Sequence, residues 1–357
     1  MCTTLTIEHL YLHFPFCTGR CNYCAFISGP PPKTIPSIIH TLQTEATQRA
    51  IPLAPLKSLY CGGGTPGLIG SEGFQTLTNA ALFTFADKYE WTVELHPATV
   101  TPTLIATLAS CGVNRISIGV QSLNDDTLKH CNRRHTAQQA LDTIALARSF
   151  IPDTGIDLIA GLPGITPAEW TKTLNRVISL DLPHLSVYAL SIDEGSTWAQ
   201  QGRTPPDPDQ LCDAIGEAHQ QLTSAGYDRY ETSNYAKPGF QCRHNLNTWH
   251  GGDYLGLGYG ASSRIGLMRR DGFGNETTLD EKEDALERCL TQLRLSEGLD
   301  LQTIDQTYPC LRPYLPLWAQ HLKTFQQHGL LTPTNAPTCR GYEILDAMER
   351  TLLESSL

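Results

Sequence analysis

YLHFPFCTGRCNYC, residues 11–24, places three thiols within eight residues, those of Cys17, Cys21 and Cys24. The apolar run Ile7–Phe14 is suited to a buried strand, so the cysteines are expected in the loop that follows it. A loop of this kind can surround one small metal centre. Three thiolates can ligate three irons of a cubane cluster, which leaves the fourth iron open to another chelator. The spacing therefore indicates a metal centre with one open position.

Two other interpretations of these cysteines stay open at this stage. The chain has 12 cysteines in 357 residues, so the spacing could be accidental. A zinc site is the other alternative, but zinc sites usually need four ligands in two pairs. The nearest additional candidate ligand is His13, which makes zinc the weaker interpretation.

Composition bounds the class of protein. A chain of 357 residues with 40% hydrophobic residues can form one large domain and a smaller one. Its net charge of -10 gives no general attraction for polyanions, so nucleic acid is not an expected partner. The start, Met1–His9, has no secretory signal features, and no run of roughly 18 apolar residues predicts a membrane span. Reduced thiols and a cytoplasmic location are therefore expected.

The sequence from residue 5 to about residue 225 alternates short apolar runs with longer amphipathic stretches. This pattern is typical of repeated βα units and a parallel sheet, an α/β fold. The predicted strands are Ile7–Phe14, Leu56–Cys61, Trp91–Leu95, Arg115–Val120, Gly155–Ala160 and Leu185–Leu190. The predicted helices are Pro36–Ala50, Ser71–Ala86, Thr101–Ser110, Ala137–Ser149, Pro167–Leu180 and Pro208–Ala225. Two of these helices begin with a threonine cap followed by proline, at Thr101 and Thr166.

The pattern changes after about residue 230. A stretch rich in glycine, asparagine and tyrosine, Tyr235–Gly266, precedes two helical patterns at Asp280–Arg294 and Pro316–His328. We therefore expect two domains, a core over residues 1–230 and a smaller helical or winged-helix-like domain over residues 231–357.

A glycine run follows the second predicted strand, in the sequence YCGGGTP at residues 60–66. Most glycine runs are turns, but this one falls at the carboxyl edge of the sheet, where ligands of parallel α/β folds bind. Main-chain amides can approach a ligand there without obstruction by side chains. Glu94 ends the otherwise apolar third strand, where a carboxylate is costly to bury unless a cation meets it. That cation could belong to a ligand or to a structural salt bridge.

The Cys-x3-Cys-x2-Cys spacing after the first strand resembles the signature of the radical S-adenosylmethionine (SAM) family. This resemblance implies a partial (β/α)6 TIM-like barrel with its site at the carboxyl-terminal mouth. It also implies a 4Fe-4S cluster on Cys17, Cys21 and Cys24, whose open iron chelates SAM. In that family an electron donor reduces the cluster, and electron transfer then cleaves SAM to a 5′-deoxyadenosyl radical.

The resemblance extends from Tyr11 to about Gly260 and is similar to the oxygen-independent coproporphyrinogen III oxidase group. It implies that Gln121 and Asp157 contact the ribose or the adenosyl group of SAM, and that Arg133 meets its carboxylate. An arginine on a solvated surface is the alternative for Arg133. The full set of SAM contacts that the resemblance implies is Tyr11, Tyr23, Gly63, Gly64, Thr65, Glu94, Gln121, Arg133, Asp157 and Ser191.

The residues after the third cysteine separate two branches of this group. The oxidases have a further cysteine two residues after the third ligand, whereas this chain has Ala25–Phe26 after Cys24. The chain also lacks the long amino-terminal segment of the oxidases. Both differences favour the closely similar heme chaperones.

The resemblance to the heme chaperones continues in Tyr230–Tyr235 and in His244–Trp249. In that group a His-Asn-x-x-Tyr-Trp stretch is associated with heme, although Thr248 replaces the tyrosine here. His244 is a competent iron ligand. The alternative is a hydrogen-bonded loop histidine without a metal.

Three functions follow from these observations. The first is a heme chaperone that binds heme and delivers it to hemoproteins, for which respiratory, membrane-associated hemoproteins are candidates. The second is an oxygen-independent coproporphyrinogen III oxidase, which decarboxylates propionates by hydrogen abstraction. The third is a radical SAM enzyme with another substrate. No catalytic side chain is assigned.

Overall fold

The structure, a computed structural model, describes residues 6–31 and 35–356. Most of the amino-terminal stretch examined for a secretory signal, residues 1–5, lies outside the described residues. Within the described ranges, no helix has the length and apolar character needed to cross a bilayer.

The first part of the chain alternates strands and helices as the sequence predicts. The elements are β1 (Ile7–Phe14), α1 (Ile35–Arg49), β2 (Leu53–Gly63), α2 (Gly70–Asn79), β3 (Phe85–Leu95), α3 (Pro102–Ser110), β4 (Arg115–Gln121), α4 (Asp125–His130), α5 (Ala137–Phe150), β5 (Thr154–Ala160), α6 (Pro167–Ser179), β6 (His184–Ala189), α7 (Thr197–Gln200) and α8 (Pro208–Ser224). Strands β1 to β6 are parallel neighbours in chain order. This confirms the expected partial (β/α)6 barrel.

The rest of the chain extends both edges of this sheet and then becomes helical. The elements are β7 (Asp228–Arg229), β8 (Asn234–Ala236), α9 (Arg243–Trp249), β9 (Leu255–Leu257), β10 (Ser263–Ile265), β11 (Met268–Arg270), β12 (Glu276–Thr278), α10 (Glu281–Leu290), α11 (Leu301–Thr307), α12 (Leu315–Gln327), α13 (Cys339–Glu343) and α14 (Leu345–Glu354). Strand β8 pairs antiparallel with β6, and β9 pairs parallel with β1. The division of the chain at residue 230 stays a prediction.

Two large hydrophobic clusters pack between these elements. The larger one packs the outward face of the main sheet against its helices, with Leu10, Trp91 and Leu174 among its buried side chains. The second is formed by the carboxyl-terminal helices around Trp318. Apolar area removed from water in such clusters is the main favourable contribution to the free energy of folding.

The inward face of the strands is polar, because polar side chains occupy alternate positions. On β1, for example, Leu10, Leu12 and Phe14 are buried in the outer cluster, while the residues between them face the interior. The polar side chains that contact one another on this inner face include His9, Tyr11, His13, Ser58, Tyr60, Glu90, Thr92, Glu94, Ser117, Asp157 and Ser186.

The threonine caps are confirmed. The Thr101 hydroxyl accepts the Leu104 N–H, and Thr166 forms a reciprocal capping box with Glu169. These bonds satisfy N–H groups that the first turn of a helix leaves unpaired. The βα connections before α3 and α6 therefore end at defined residues.

The predicted helix Ser71–Ala86 is wrong in its second half. Helix α2 ends at Asn79, and Ala81 adopts a φ of 50°, which an α-helix cannot include. The aromatic residues that follow belong to β3, where the rings of Phe85 and Tyr89 stack at 4.0 Å. Aromatic side chains favour a strand here because they pack well on a pleated sheet.

Candidate cofactor-binding site

A cavity of about 420 Å³ opens where the parallel strands of the barrel end. Loops after β1, β2 and β6 and the ends of β3, β4 and β5 contribute to its wall. Of the residues that the sequence singles out, those on the wall are Cys17, Cys21, Tyr23, Cys24, Gly63, Gly64, Thr65, Glu94, Gln121, Arg133, Asp157 and Ser191. Tyr11 and His244 are not on the wall.

The cysteine loop is tied to the rest of the barrel. The Cys17 N–H donates to the Gly29 carbonyl at 2.9 Å, which joins the two ends of the loop. The Cys17 Sγ lies 3.4 Å from the Thr65 hydroxyl, and Arg133 Nη1 donates to the Cys21 Sγ at 3.6 Å. These contacts place the loop against the glycine run on one side and against the segment after β4 on the other.

The three thiols share a cavity wall without yet forming a coordination sphere. In the described part of the chain, no group of three His, Cys, Asp or Glu side chains is gathered closely enough to hold a metal ion. A 4Fe-4S cluster binds each thiolate to a different iron, so its three cysteines do not need to be close enough to share one ion.

The glycine run closes against the cysteine loop in a way that requires glycine. A Cβ on Gly63 would lie 2.6 Å from the His13 ring, and Gly63 has a φ of 106°. A Cβ on Gly64 would collide with the Phe16 carbonyl oxygen. Side chains at these positions would therefore push the two loops apart and strain the backbone.

Two carboxylates face the cavity without a cation. Glu94 Oε1 accepts the Tyr60 hydroxyl at 2.8 Å and Oε2 accepts the Gly63 N–H at 3.1 Å. Burial, followed by the charge of Asp157, raises the pKa of Glu94 to about 7. Burial also raises the pKa of Asp157, although the Ser186 and Ser117 hydroxyls donate to it. Within the described chain, neither carboxylate has an ion pair.

Gln121 and Arg133 present polar atoms that lack partners. Gln121 ends β4 with a φ of 68°, and its buried Oε1 accepts no hydrogen bond. Arg133 donates to the Gly119 carbonyl and to Cys21, while its buried Nε has no partner. Buried polar atoms are rarely left unpaired, so both side chains are suited to a polar ligand in the cavity.

Three further residues of the cavity wall, Tyr23, Ser191 and Phe26, differ in their surroundings. The Tyr23 ring lies 6.0 Å from Trp198 and belongs to a small apolar cluster behind the wall. Ser191 donates to Asp193 at 3.0 Å. Phe26, at the cavity mouth, is 66% exposed, so an apolar ring faces solvent directly beside the cysteines.

Tyr11 and His244 lie on the inner face beneath the cavity. The Tyr11 hydroxyl contacts His13 Nδ1 at 3.0 Å, and its ring lies 6.1 Å from that of Tyr60. His244 is on helix α9 and only 6% exposed, with Nδ1 3.0 Å from the Ser58 hydroxyl. Burial lowers the pKa of His244 to about 3, so the ring is neutral.

Sequence reasoning missed Tyr60 and Tyr188. Tyr60 donates to Glu94, and Tyr188 lies near the end of β6 on the cavity wall. A usable signal was present, since polar residues alternate with apolar ones along β2 and β6. Interpretation of the strands as continuous apolar runs does not predict their polar inner face.

The sequence of this chain is similar to those of known proteins. A model of the radical SAM superfamily matches residues 11–177. Heme chaperone HemW of Haemophilus influenzae is 40% identical over 267 residues, which cover 72% of this chain and 70% of that protein. The chain belongs to the HemW family of radical SAM proteins. HemW of Escherichia coli is 39% identical, again over 72% of this chain and 70% of the relative.

Other relatives cover more of the chain. Radical S-adenosyl methionine domain-containing protein 1, mitochondrial, of Bos taurus is 30% identical and covers 96% of this chain and 87% of its own length. Among solved structures, coproporphyrinogen III oxidase (HemN) from Escherichia coli superposes with a TM-score of 0.83 at 22% identity. That match covers 98% of this chain and 91% of HemN, and it confirms the fold beyond the HemW family.

Proposed function

We propose that this chain is a heme chaperone that binds heme and delivers it to hemoproteins, and that its cavity holds a 4Fe-4S cluster and SAM. Membership of the HemW family supports the delivery role. The observation that supports the cofactor assignment is the cavity itself, which gathers three thiols, a glycine-lined wall and two carboxylates without cations.

The residues of the cavity fit these cofactors by their chemistry. Three thiols are the donors that a 4Fe-4S cluster uses, and one iron then stays available to a second ligand. SAM has a cationic ammonium and a sulfonium, which would neutralise Glu94, and Asp157 would contact its ribose or adenosyl group. When bound, the reduced cluster supplies an electron to SAM. Cys17, Cys21 and Cys24 would hold the cluster.

Each neighbouring residue has a definite role in this proposal. Gly63 and Gly64 let main-chain amides approach the SAM amino acid group, with Thr65 beside them. The Arg133 guanidinium would bind the SAM carboxylate, and the unpaired Gln121 oxygen would accept from the ribose. Further proposed SAM contacts are Tyr11, Tyr23 and Ser191.

The heme site is proposed less specifically. Phe26 occupies the position of the additional cysteine in the oxidases, and its exposed ring offers an apolar surface to a porphyrin. An iron-ligand role for His244 stays a prediction. Ligation at Nδ1 would require the buried ring to leave Ser58.

Partners and location are also proposals. Respiratory, membrane-associated hemoproteins are the acceptors that we expect, and reduction of the cluster requires an electron donor. A cytoplasmic location is consistent with a chain whose described cysteines are all free.

An anaerobically reconstituted preparation tests the function. Heme titration followed by absorbance should give saturable, stoichiometric binding, and a parallel assay with coproporphyrinogen III should give no product. Conversion to protoporphyrinogen would contradict the chaperone assignment and favour the oxidase.

A further inference from the structure

Helix α9 is fixed to the inner face of the barrel beneath the cavity. Glu90, on β3, accepts the main-chain N–H groups of Arg243 at 2.9 Å and of His244 at 3.3 Å. The His244 ring is held in turn by Ser58 on β2, whose hydroxyl also contacts His9 Nδ1 at 2.8 Å. Contacts to β2 and β3 therefore determine where this histidine lies.

A continuous line of contacts joins His244 to Glu94. The rings of His244 and Tyr60 lie 5.3 Å apart at an interplanar angle of 34°. The Tyr60 hydroxyl donates to Glu94 at 2.8 Å. Tyr11 closes the group from the side, with ring separations of 6.2 Å to His244 and 6.1 Å to Tyr60.

The absence of a side chain at Gly62 lets the Tyr60 ring and the Glu94 carboxylate lie close together, so their contact depends on the position of the ring. A Cβ on Gly62 would lie 3.0 Å from both the Tyr60 ring and Glu94 Oε2, so ring and carboxylate press together over the bare backbone. A shift of the Tyr60 ring would therefore move its hydroxyl relative to Glu94. The His244 ring packs against Tyr60, so it limits that shift.

We propose that His244 is a positioning residue for the cofactor cavity, acting through Tyr60 to hold the Glu94 carboxylate where a cationic ligand meets it. The inference rests on the proposed function, because the cationic ligand is SAM. It gives His244 a role in cofactor binding that requires no iron coordination.

The surroundings of Glu94 provide a readout that a purely structural role would not change. Asp157 from β5, Tyr11 from β1 and Tyr188 from β6 surround the carboxyl along with Tyr60. Burial and Asp157 raise the pKa of Glu94, whereas the Tyr60 hydroxyl lowers it. Loss of that hydroxyl should shift the pH dependence of SAM binding to higher pH, because SAM favours the ionised carboxylate.

The test measures the dissociation constant of SAM for the full-length, anaerobically reconstituted protein across a range of pH. At neutral pH we expect Tyr60→Phe to weaken SAM binding about tenfold, as a lost hydrogen bond to a charged group does. His244→Phe should also weaken binding, and the double variant should bind SAM no more weakly than Tyr60→Phe alone. Tyr227→Phe is the matched control, since its buried hydroxyl donates to the Leu182 carbonyl instead.

Equal weakening by His244→Phe with and without the Tyr60 hydroxyl would overturn the inference. If Tyr60→Phe does not fold, His244→Gln is the second variant, and an unchanged pH profile of SAM binding in it would overturn the inference as well. Wild-type protein that has an intact cluster spectrum but binds no SAM would refute the proposed function and this inference together. Normal SAM binding by wild type and by every variant would refute the inference alone.

Discussion

Glu94 illustrates how a single side chain can indicate the charge of the ligand that suits a cavity. Its carboxyl is held by one hydroxyl and one amide, neither of which neutralises it. The second carboxylate, Asp157, lies near enough to raise its pKa further. A wall with this arrangement is suited to a cationic group, because a buried carboxylate is stabilised by a positive charge.

The cluster assignment predicts the outcome of Cys21→Ser. Replacing this thiol should abolish iron retention and SAM binding together, because two remaining cysteines cannot hold the cubane. Iron and sulfide content and SAM binding are measured on the same preparation. Cys310→Ser, at an exposed thiol outside the cavity, is the control and should retain both. An unchanged cluster spectrum in Cys21→Ser would refute the ligand assignment.

The raised pKa of Glu94 predicts a pH effect on the stability of the cofactor-free protein. The folded value of about 7 exceeds the ordinary 4.5, so the folded protein binds the proton more tightly. The free energy of unfolding should therefore fall as pH rises between these values, by at most about 3 kcal/mol, since one pKa unit corresponds to about 1.4 kcal/mol.

Glu94→Gln should remove that part of the pH dependence. Urea unfolding at acidic and at mildly alkaline pH measures the difference, with Glu194→Gln as the control at an exposed position. A wild-type free energy of unfolding that does not fall over this range would contradict the assigned pKa.

At the scale of elements, strand positions were predictable from the sequence because buried apolar runs and helix caps are local signals. The caps at Thr101 and Thr166 are examples. The error after Asn79 arose because residues with reasonable helix propensity are followed by aromatic residues that pack only when β3 joins the sheet. The link between His244 and Tyr60 could not be predicted, since it depends on where α9 folds back.

The capping box of α6 gives an element-scale prediction. Thr166→Ala should lower the free energy of unfolding by about 1 kcal/mol, because the Glu169 N–H loses its acceptor. Denaturant titration measures the change. Thr324→Ala, in the exposed interior of α12, is the control and should have little effect. Equal effects of the two changes would contradict the assigned role of the cap.

At the scale of the whole molecule, the second hydrophobic cluster should unfold with some independence from the barrel. Trp318 is fully buried there, and its Nε1 donates to the Ser356 hydroxyl at 2.9 Å. Trp318→Ala should cost about 3 to 5 kcal/mol of stability in the carboxyl-terminal helices.

The same variant should retain the cluster and SAM if the two-domain prediction holds. Denaturation followed by far-ultraviolet circular dichroism and by cluster absorbance distinguishes the two parts. Phe273→Ala removes an aromatic ring that is 69% exposed and serves as the control. Coincident loss of helices and cluster in Trp318→Ala would favour one cooperative unit instead.

The pairing of β9 with β1 has a consequence for how the protein is made. The strand that leads into the cysteine loop borders on one that begins only at Leu255 of 357 residues, so most of the chain must be synthesised before that neighbour exists. Until then the strand that precedes the cysteine loop has one unpaired edge. A cluster bound by this loop should accordingly be inserted only after the chain has been synthesised beyond Leu257 and β9 has paired with β1.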